Sequence, residues 1–405
     1  MLLKLAWKNV WRNRLRSGIM VAAMVFGLLG VILMVGFVKA MADNMLENAI
    51  KYQTAHLQVH NPDFLVNEDL EAWMPNADAV AADIRGIPGV EGVTVRHVVD
   101  GMLASAASTR GVRINGIITA DEAVVTYLKE SIVEGEILPV KGRNPILVSR
   151  RSADKLNLRL KSKVVLTFSD LNGEVSGAAF RVCGFFSTPS TGFDESNVFV
   201  RRADLTGYTG LDQFHEIAIR LEDGDAVDVF KHRLATAAGD KGVVQDWGEI
   251  QPVLAAMKGT MAISNAIIIG VFVTALGFGI INIMLMSVFE RTREFAMLMA
   301  VGMTGGRVLR LVVMESLMLG GVGSVTGLAA SVLMTAVIGT VGLPFGRMAE
   351  GLGAFGVDAV LYPEVTIPTY VGTLAMLLVT SVLAALYPAR QIMKKPLSEA
   401  LAEKH

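Results

Sequence analysis

Four stretches of this chain carry almost no charge, and each is long enough to cross a bilayer, which takes about 20 apolar residues. They cover residues 17–38, 259–289, about 311–341 and 365–389, and Glu315 is the one acid among them. Backbone groups in lipid must be satisfied within their own segment, so each stretch is expected to be a helix. Composition agrees: 52% of the residues are hydrophobic and 19% charged, where soluble domains carry about 25% charge. The mean hydropathy is +0.48. With 37 bases against 38 acids and a formal charge of −1, the basic excess of a nucleic-acid binder is missing. The single Cys183 excludes an internal disulfide framework and a cysteine-based zinc site.

Between the first and second spans lie residues 39–258, enough for a folded domain. Charge sets the orientation. Residues 1–16 hold Lys4, Lys8, Arg12, Arg14 and Arg16 and no acid, and the tail adds Arg390, Lys394, Lys395 and Lys404. The loop after the second span holds Arg291, Arg293, Arg307 and Arg310 against Glu290 and Glu294. Residues 39–258 hold 23 bases against 30 acids, and the 347–364 loop holds one base against three acids. The positive-inside rule therefore places both termini and the 290–310 loop in the cytoplasm and the large domain outside. A loop at residues 67–69 and Thr304 are thus expected on opposite sides. A cleaved signal peptide over residues 1–42, with Ala40-Met41-Ala42 at the cleavage site, is the competing reading. Its apolar run of 22 residues exceeds the roughly 7–15 of a signal peptide, and an anchor is expected.

These readings divide the chain along its length. Residues 1–16 form an amphipathic helix at the inner surface, with Leu3, Trp7, Val10, Trp11 and Leu15 on its apolar side, a composition suited to the headgroup layer. Residues 17–54 hold the first span and a stalk, 55–245 an α/β domain, and 246–289 a second stalk segment and span. Residues 290–310 form a cytoplasmic helix and loop, 311–346 the third span, 347–364 a short outer loop, 365–389 the fourth span and 390–405 a cytoplasmic tail. The fold class is a membrane α-helical protein of four transmembrane helices, with a large extracytoplasmic α/β domain inserted between the first and second.

Within that domain, alternation of apolar and polar residues predicts a strand over 55–60; further strands are expected over 93–99, 111–118, 146–149, 164–169, 179–186, 197–200 and 216–221, and helices over 77–85, 151–156 and 226–238. His56 and His60 flank Gln58 on one strand face. Two histidines without a third ligand are read as a solvated polar face, so no metal site is expected. Cys183 is read as core, and His97, His215 and His232 form no cluster by spacing. No nucleophile-elbow, zinc-protease, Walker A or dinucleotide motif stands in its required setting, and no catalytic residue is assigned.

The second apolar stretch has 31 residues, about 46 Å of helix at roughly 1.5 Å per residue, against about 30 Å of hydrocarbon. Val253 and Met257 extend its apolar stripe upstream, and Met41 and Met45 continue the first span at four-residue spacing. Both helices are expected to run on as a stalk. Gly323, Gly327 and Ser331, like Ala266, Gly270 and Thr274, keep four-residue spacing. Such faces let helices approach closely in lipid, within one chain or between two. Glu315 is expected to snorkel or to pair with an arginine.

At the 290–310 loop the pattern becomes specific. Phe289-Glu290-Arg291-Thr292-Arg293-Glu294-Phe295, followed by Leu298-Met299-Ala300-Val301-Gly302, resembles the ER-x-x-E…L-x-A-x-G signature of ABC transporter permeases of the MacB, lipoprotein-release and FtsX type. Tyr387-Pro388-Ala389-Arg390, with Pro396-Leu397-Ser398-Glu399-Ala400-Leu401, is similar to that family's ending, and Ala6-x-Lys8-Asn9-x-x-Arg12 to its basic elbow helix. Ala55-His56-Leu57-Gln58-Val59-His60 resembles the first strand of lipoprotein-release permeases in particular. Met299 stands where many MacB-type members carry Arg, and Lys161-Ser162-Lys163 replaces a Gly-Asp turn.

The resemblance implies a MacB-like periplasmic domain and a permease of the inner membrane that binds no cofactor itself. ATP and Mg would sit on two copies of a separate ABC ATP-binding subunit, and a second permease subunit, identical or homologous, would complete the complex. Glu290, Arg291, Arg293, Glu294, Leu298 and Gly302 would couple to the ATPase, and motion would pass through the stalk to the outer domain. Lipoprotein release toward a periplasmic carrier is the leading expectation. Export of another amphiphile, such as a peptide or drug, is the alternative. FtsX-like activation of a cell-wall hydrolase is a third reading, and a membrane enzyme, for which no site is visible, is the fourth.

Overall fold

Where the apolar runs leave the backbone no partner but itself, the chain is helical. In the computed structural model α1 is Leu2–Arg12, α2 Arg14–Ala49, α3 Pro252–Glu290, α4 Thr292–Ala300, α5 Gly305–Val341 and α6 Ile367–Lys394. Four of them, α2, α3, α5 and α6, are long and apolar enough to cross a membrane. The structure describes residues 2–64, 70–171, 173–239 and 242–394; the 67–69 loop and the 396–401 part of the tail motif lie outside the described residues. The chain divides into two units. One comprises the residues up to Met41, Thr260–Leu343 and those from Val360 on, and the other Ala42–Gly259 with Pro344–Ala359.

The first unit is a helical bundle. Met20, Met24, Leu28 and Ile32 of α2 pack with Ile280 and Met284 of α3, Leu311 and Val312 of α5, and Ala384 and Ala385 of α6. Small residues allow this approach. A Cβ on Gly323 would meet Met24, and one on Gly327 would meet Leu28 and the Val25 backbone, so this face seats α5 on α2 of the same chain. Gly270 faces open space. The helix expected over 1–16 ends early: Asn13 interrupts it between α1 and α2, and the Ser17 hydroxyl donates to the Val10 carbonyl across the break. The third span starts sooner than expected, at Gly305. Pro388 of the tail motif lies inside α6, which continues past the expected end at 389 to Lys394.

The second unit holds the sheet. Its strands are β1 Leu57–His60, β2 Val90–Ala104, β3 Thr109–Ile117, β4 Ile132–Gly135, β5 Pro145–Ser149, β6 Lys163–Ser169, β7 Val175–Phe186, β8 Asn197–Arg201, β9 Glu216–Leu221 and β10 Val243–Asp246. The order is β10-β1-β9-β2-β3-β8-β5-β7-β4, with β6 joining β2 to β7. Pairing therefore closes a ring through β2, β3, β8, β5, β7 and β6, which removes the free edges those strands would expose. Leu103, Ile114, Val148, Leu166, Phe180, Val182 and Val198 fill it. The 15-residue β2 is shared: its first half pairs β9, and its second half pairs β3 and β6. On the β10-β1-β9 side, Leu57, Val59, Ile217 and Ile219 pack against Val80 and Ile84 of helix Ala77–Arg85 and Phe230 and Leu234 of helix Val227–Ala238.

Two expectations fail here for one reason, burial from residues distant in sequence. The polar face of β1 is not solvated: Gln58 and His60 are 3% and 1% exposed, Gln58 donating to Glu216 of β9 and His60 stacking on Phe64. The histidines expected to stand apart do meet. His97 and His215 have ring centroids 5.4 Å apart, and Phe64 stacks between His215 and His60.

Candidate functional site

The residues singled out after the second span form a corner of the helical unit. Arg291 leaves helical backbone (φ −108°, ψ 11°) and caps α4, so Glu290 ends α3 and does not share a helix with Glu294. The rigid helix expected to start at Glu290 starts at Thr292. Arg291 Nη1 donates to Glu315 Oε2 at 2.8 Å and its Nε to Glu294 Oε2 at 2.9 Å. Arg12 Nη2 donates to both Glu294 oxygens, at 2.6 and 2.8 Å, and Asn9 Nδ2 to Glu315 Oε1 at 2.7 Å. The line Arg12–Glu294–Arg291–Glu315–Asn9 thus ties α1, α4 and α5 together.

Burial divides this network. The side chains of Arg291 and Glu315 are each 7% exposed, and taking away one partner of such a pair costs about 3–5 kcal/mol. The Arg12–Glu294 end is half exposed and is worth less, because water screens it. Burial disfavours the charge on Glu294, but hydrogen bonds from Arg12 and Arg291 outweigh it and hold the carboxyl below its usual range. The same contest, burial against Glu315 and Glu294, raises Arg291. Two guanidinium and two carboxylate groups balance, so the corner is charged yet neutral in sum.

The remaining sequence candidates divide between the two sides of α4. Leu298 packs on the unit's core. Arg293, Met297, Ala300 and Val301 are exposed. Gly302 lies in the turn that ends α4, at φ +101°, a backbone conformation that suits glycine. Asn9, Arg12 and Glu315 were not assigned to this site from the sequence. Glu315 was the available signal, since an acid in an apolar helix needs a cation, and Arg291 precedes it by 24 residues.

In the other unit, Met45, Val253 and Met257 come together with Leu254 and Phe355 around an open cleft of about 910 Å³. The helix α2 runs without interruption past the apolar stretch to Ala49 and carries Met45, while α3 begins at Pro252 and carries the other two stalk candidates. Asn48 Nδ2 donates to the Gly356 carbonyl at 2.9 Å, and Asn44 and Asp358 exchange two hydrogen bonds, lacing the 344–359 segment to the end of α2. Met41 belongs to the helical unit.

Behind the cleft lies a buried charge cluster that no local pattern announces. Arg96 Nη2 and Nε donate to the two Glu122 oxygens at 2.7 and 3.1 Å, and Nη1 donates to Glu216. Thr94 and Thr126 also donate to Glu122, and Gln58 Nε2 donates to Glu216 at 3.0 Å. Burial works against the Glu216 charge, yet Arg96 wins and pulls that carboxyl down to about 2. Among the described residues, no group of three or more His, Cys, Asp or Glu side chains converges as metal ligands would.

Set beside known proteins, residues 17–237 match the MacB-like periplasmic core domain and residues 266–397 the FtsX-like permease C-terminal region. The ABC transporter permease YknZ of Bacillus subtilis is 24% identical over 364 residues, covering 83% of this chain and 87% of YknZ. The pyoverdine export ATP-binding/permease protein PvdT of Pseudomonas entomophila is 24% identical over 412 residues, covering 96% of this chain; the chain spans 57% of PvdT. Among solved structures, the periplasmic region of MacB from Actinobacillus actinomycetemcomitans aligns with a TM-score of 0.37 and 13% identity, over 52% of this chain and 97% of that one.

Proposed function

Because this chain belongs to the ABC transporter permeases of the MacB/FtsX type, we propose that it carries ATP-driven motion from a separate ATP-binding subunit to a domain outside the cell membrane, where an amphiphile is released. Two ATP-binding subunits and a second permease chain would complete the assembly, with both termini and α4 in the cytoplasm. The observation that carries this reading is the corner. The Arg12–Glu294–Arg291–Glu315–Asn9 network binds α4 to α1 and α5, so a push on α4 moves the base of a span rather than bending a loop. The outer side of α4, with Arg293 and Met297, is left for the ATPase.

Glu294 is taken up by this chain's own arginines, so reversing its charge would damage the corner itself. The docking test belongs at Met297, which is 50% exposed. Met297→Asp should cut recovery of the co-expressed ATPase several-fold while the permease still inserts. Undiminished co-purification with ATP hydrolysis still coupled to release would remove α4 from the docking role.

Lipoprotein release is our first reading of the cargo, supported by the resemblance of residues 55–60. Within that segment the buried Gln58 donates to Glu216. Export of a small amphiphile is the second reading, favoured by the export function in the name of PvdT. Release of a radiolabelled lipoprotein from spheroplasts, compared with efflux of small amphiphiles, separates the two.

A further inference from the structure

His60 is 1% exposed, and neither ring nitrogen has a hydrogen-bond partner among the described residues. Glu216 Oε2 stands 3.7 Å from its Nε2. Stacking on Phe64, with centroids 5.5 Å apart, holds the ring in place. Buried polar groups nearly always find partners, and here the place of one is taken by space. A recess of about 190 Å³ is lined by His60, Gln58, Glu216, Asn115 and Gln251 among others. Gln53, Arg113, Phe193, Asn197 and Gln251 line both this recess and the 910 Å³ cleft, so the recess opens into the cleft.

Arg96, Arg113 and Glu216 line the recess, and Glu122 pairs with Arg96 from outside that lining. Arg96 is held between Glu122 and Glu216, leaving one negative charge over. At the mouth, Arg113 is offset by Asp100 at 3.7 Å. A net negative charge among buried side chains favours a cation more strongly than the same charge in bulk water. The acceptors available, a Glu216 oxygen and a ring nitrogen of His60, suit a group that only donates. A primary ammonium has three N–H donors and no acceptor. The cleft outside is largely apolar along Met45, Leu254, Met257 and Phe355.

We propose that recess and cleft together bind an amphiphile bearing a primary ammonium group, with the ammonium against Glu216 and His60 and the apolar body along the Met45–Met257 wall. This rests on the reading of the chain as a permease for amphiphiles and specifies the head group such a cargo carries.

The test uses the full-length chain in nanodiscs and ligand-observed NMR, with empty nanodiscs subtracted. Butylammonium should bind saturably, butyrate and 1-butanol should not, and hexylammonium should bind about tenfold tighter through its two extra methylenes. Glu216→Gln should weaken butylammonium at least tenfold. Gln251→Trp, which fills the mouth and leaves the charge cluster in place, should do the same and decides the matter where Glu216→Gln does not fold. Absence of saturable butylammonium binding to the parent, the result for a recess that holds only water, overturns the proposal. Undiminished binding to folded Gln251→Trp overturns it too. Neither ATP nor the ATPase enters this assay, so its failure leaves the permease reading standing, whereas the Met297→Asp experiment tests that reading alone.

Discussion

His97 and His215 are buried against each other and against aromatic rings. Burial pushes His97 down to about 3 and His215 to about 4. Both are therefore neutral in the folded chain where the unfolded chain would take up protons near its ordinary pKa of 6.5. Stability from this pair is whole above pH 6.5 and falls as pH drops from there toward 3–4, because only the unfolded state binds the protons. Asp194, pushed up to about 6 by burial despite hydrogen bonds from Thr188, works in the opposite direction. Replacing one histidine isolates its share. His97→Leu should flatten the loss of unfolding free energy between pH 6.5 and 4 by up to about 1.4 kcal/mol per pH unit. Urea titrations of the full chain at several pH values give this slope, and an unchanged slope would deny His97 the role.

Among the elements, α2 carries the mechanical proposal. It is helical over 36 residues, and Met45, near its end, forms part of the cleft wall. Proline in a helix interior removes a backbone hydrogen bond and costs about 3 kcal/mol or more, so Met45→Pro should break the rod outside the apolar stretch, where insertion is undisturbed. The expected phenotype is uncoupling, with assembly and ATP hydrolysis retained and release of substrate lost. Met45→Leu keeps both helix and cleft wall and should behave like the parent. Full release activity in the proline variant would mean that a rigid α2 is not needed for transmission.

For the whole molecule, the central claim is which unit meets which side of the membrane. Val140 is 91% exposed in the sheet unit, and Thr304 is exposed in the turn between α4 and α5. With an impermeant maleimide on spheroplasts, Val140→Cys should label and Thr304→Cys should not until the cells are opened. Burial pushes the native Cys183 thiol up to about 11, and so scarce a thiolate keeps the background low. The reverse labelling pattern would invert the topology.

Features that depend on near neighbours along the chain were legible before folding was considered. Apolar runs revealed the four long helices, and the eight expected strands are all present, β9 with the bounds expected and the other seven with at least one end shifted. The strands β4 and β10 escaped notice: each has four residues at the edge of the sheet, with burial patterns too mixed to show alternation. Helix starts moved wherever a cap or a break such as Asn13 or Arg291 acted on one residue. The charged sites were a different matter. Arg12 meets Glu294 across 282 positions, and Arg96 meets Glu122 and Glu216 across 26 and 120. Periodicity and hydropathy report which way a side chain must face, in or out. Which charge it finds inside depends on how distant segments are brought together, and for Gln58, His60 and Glu315 only the tertiary structure decided that.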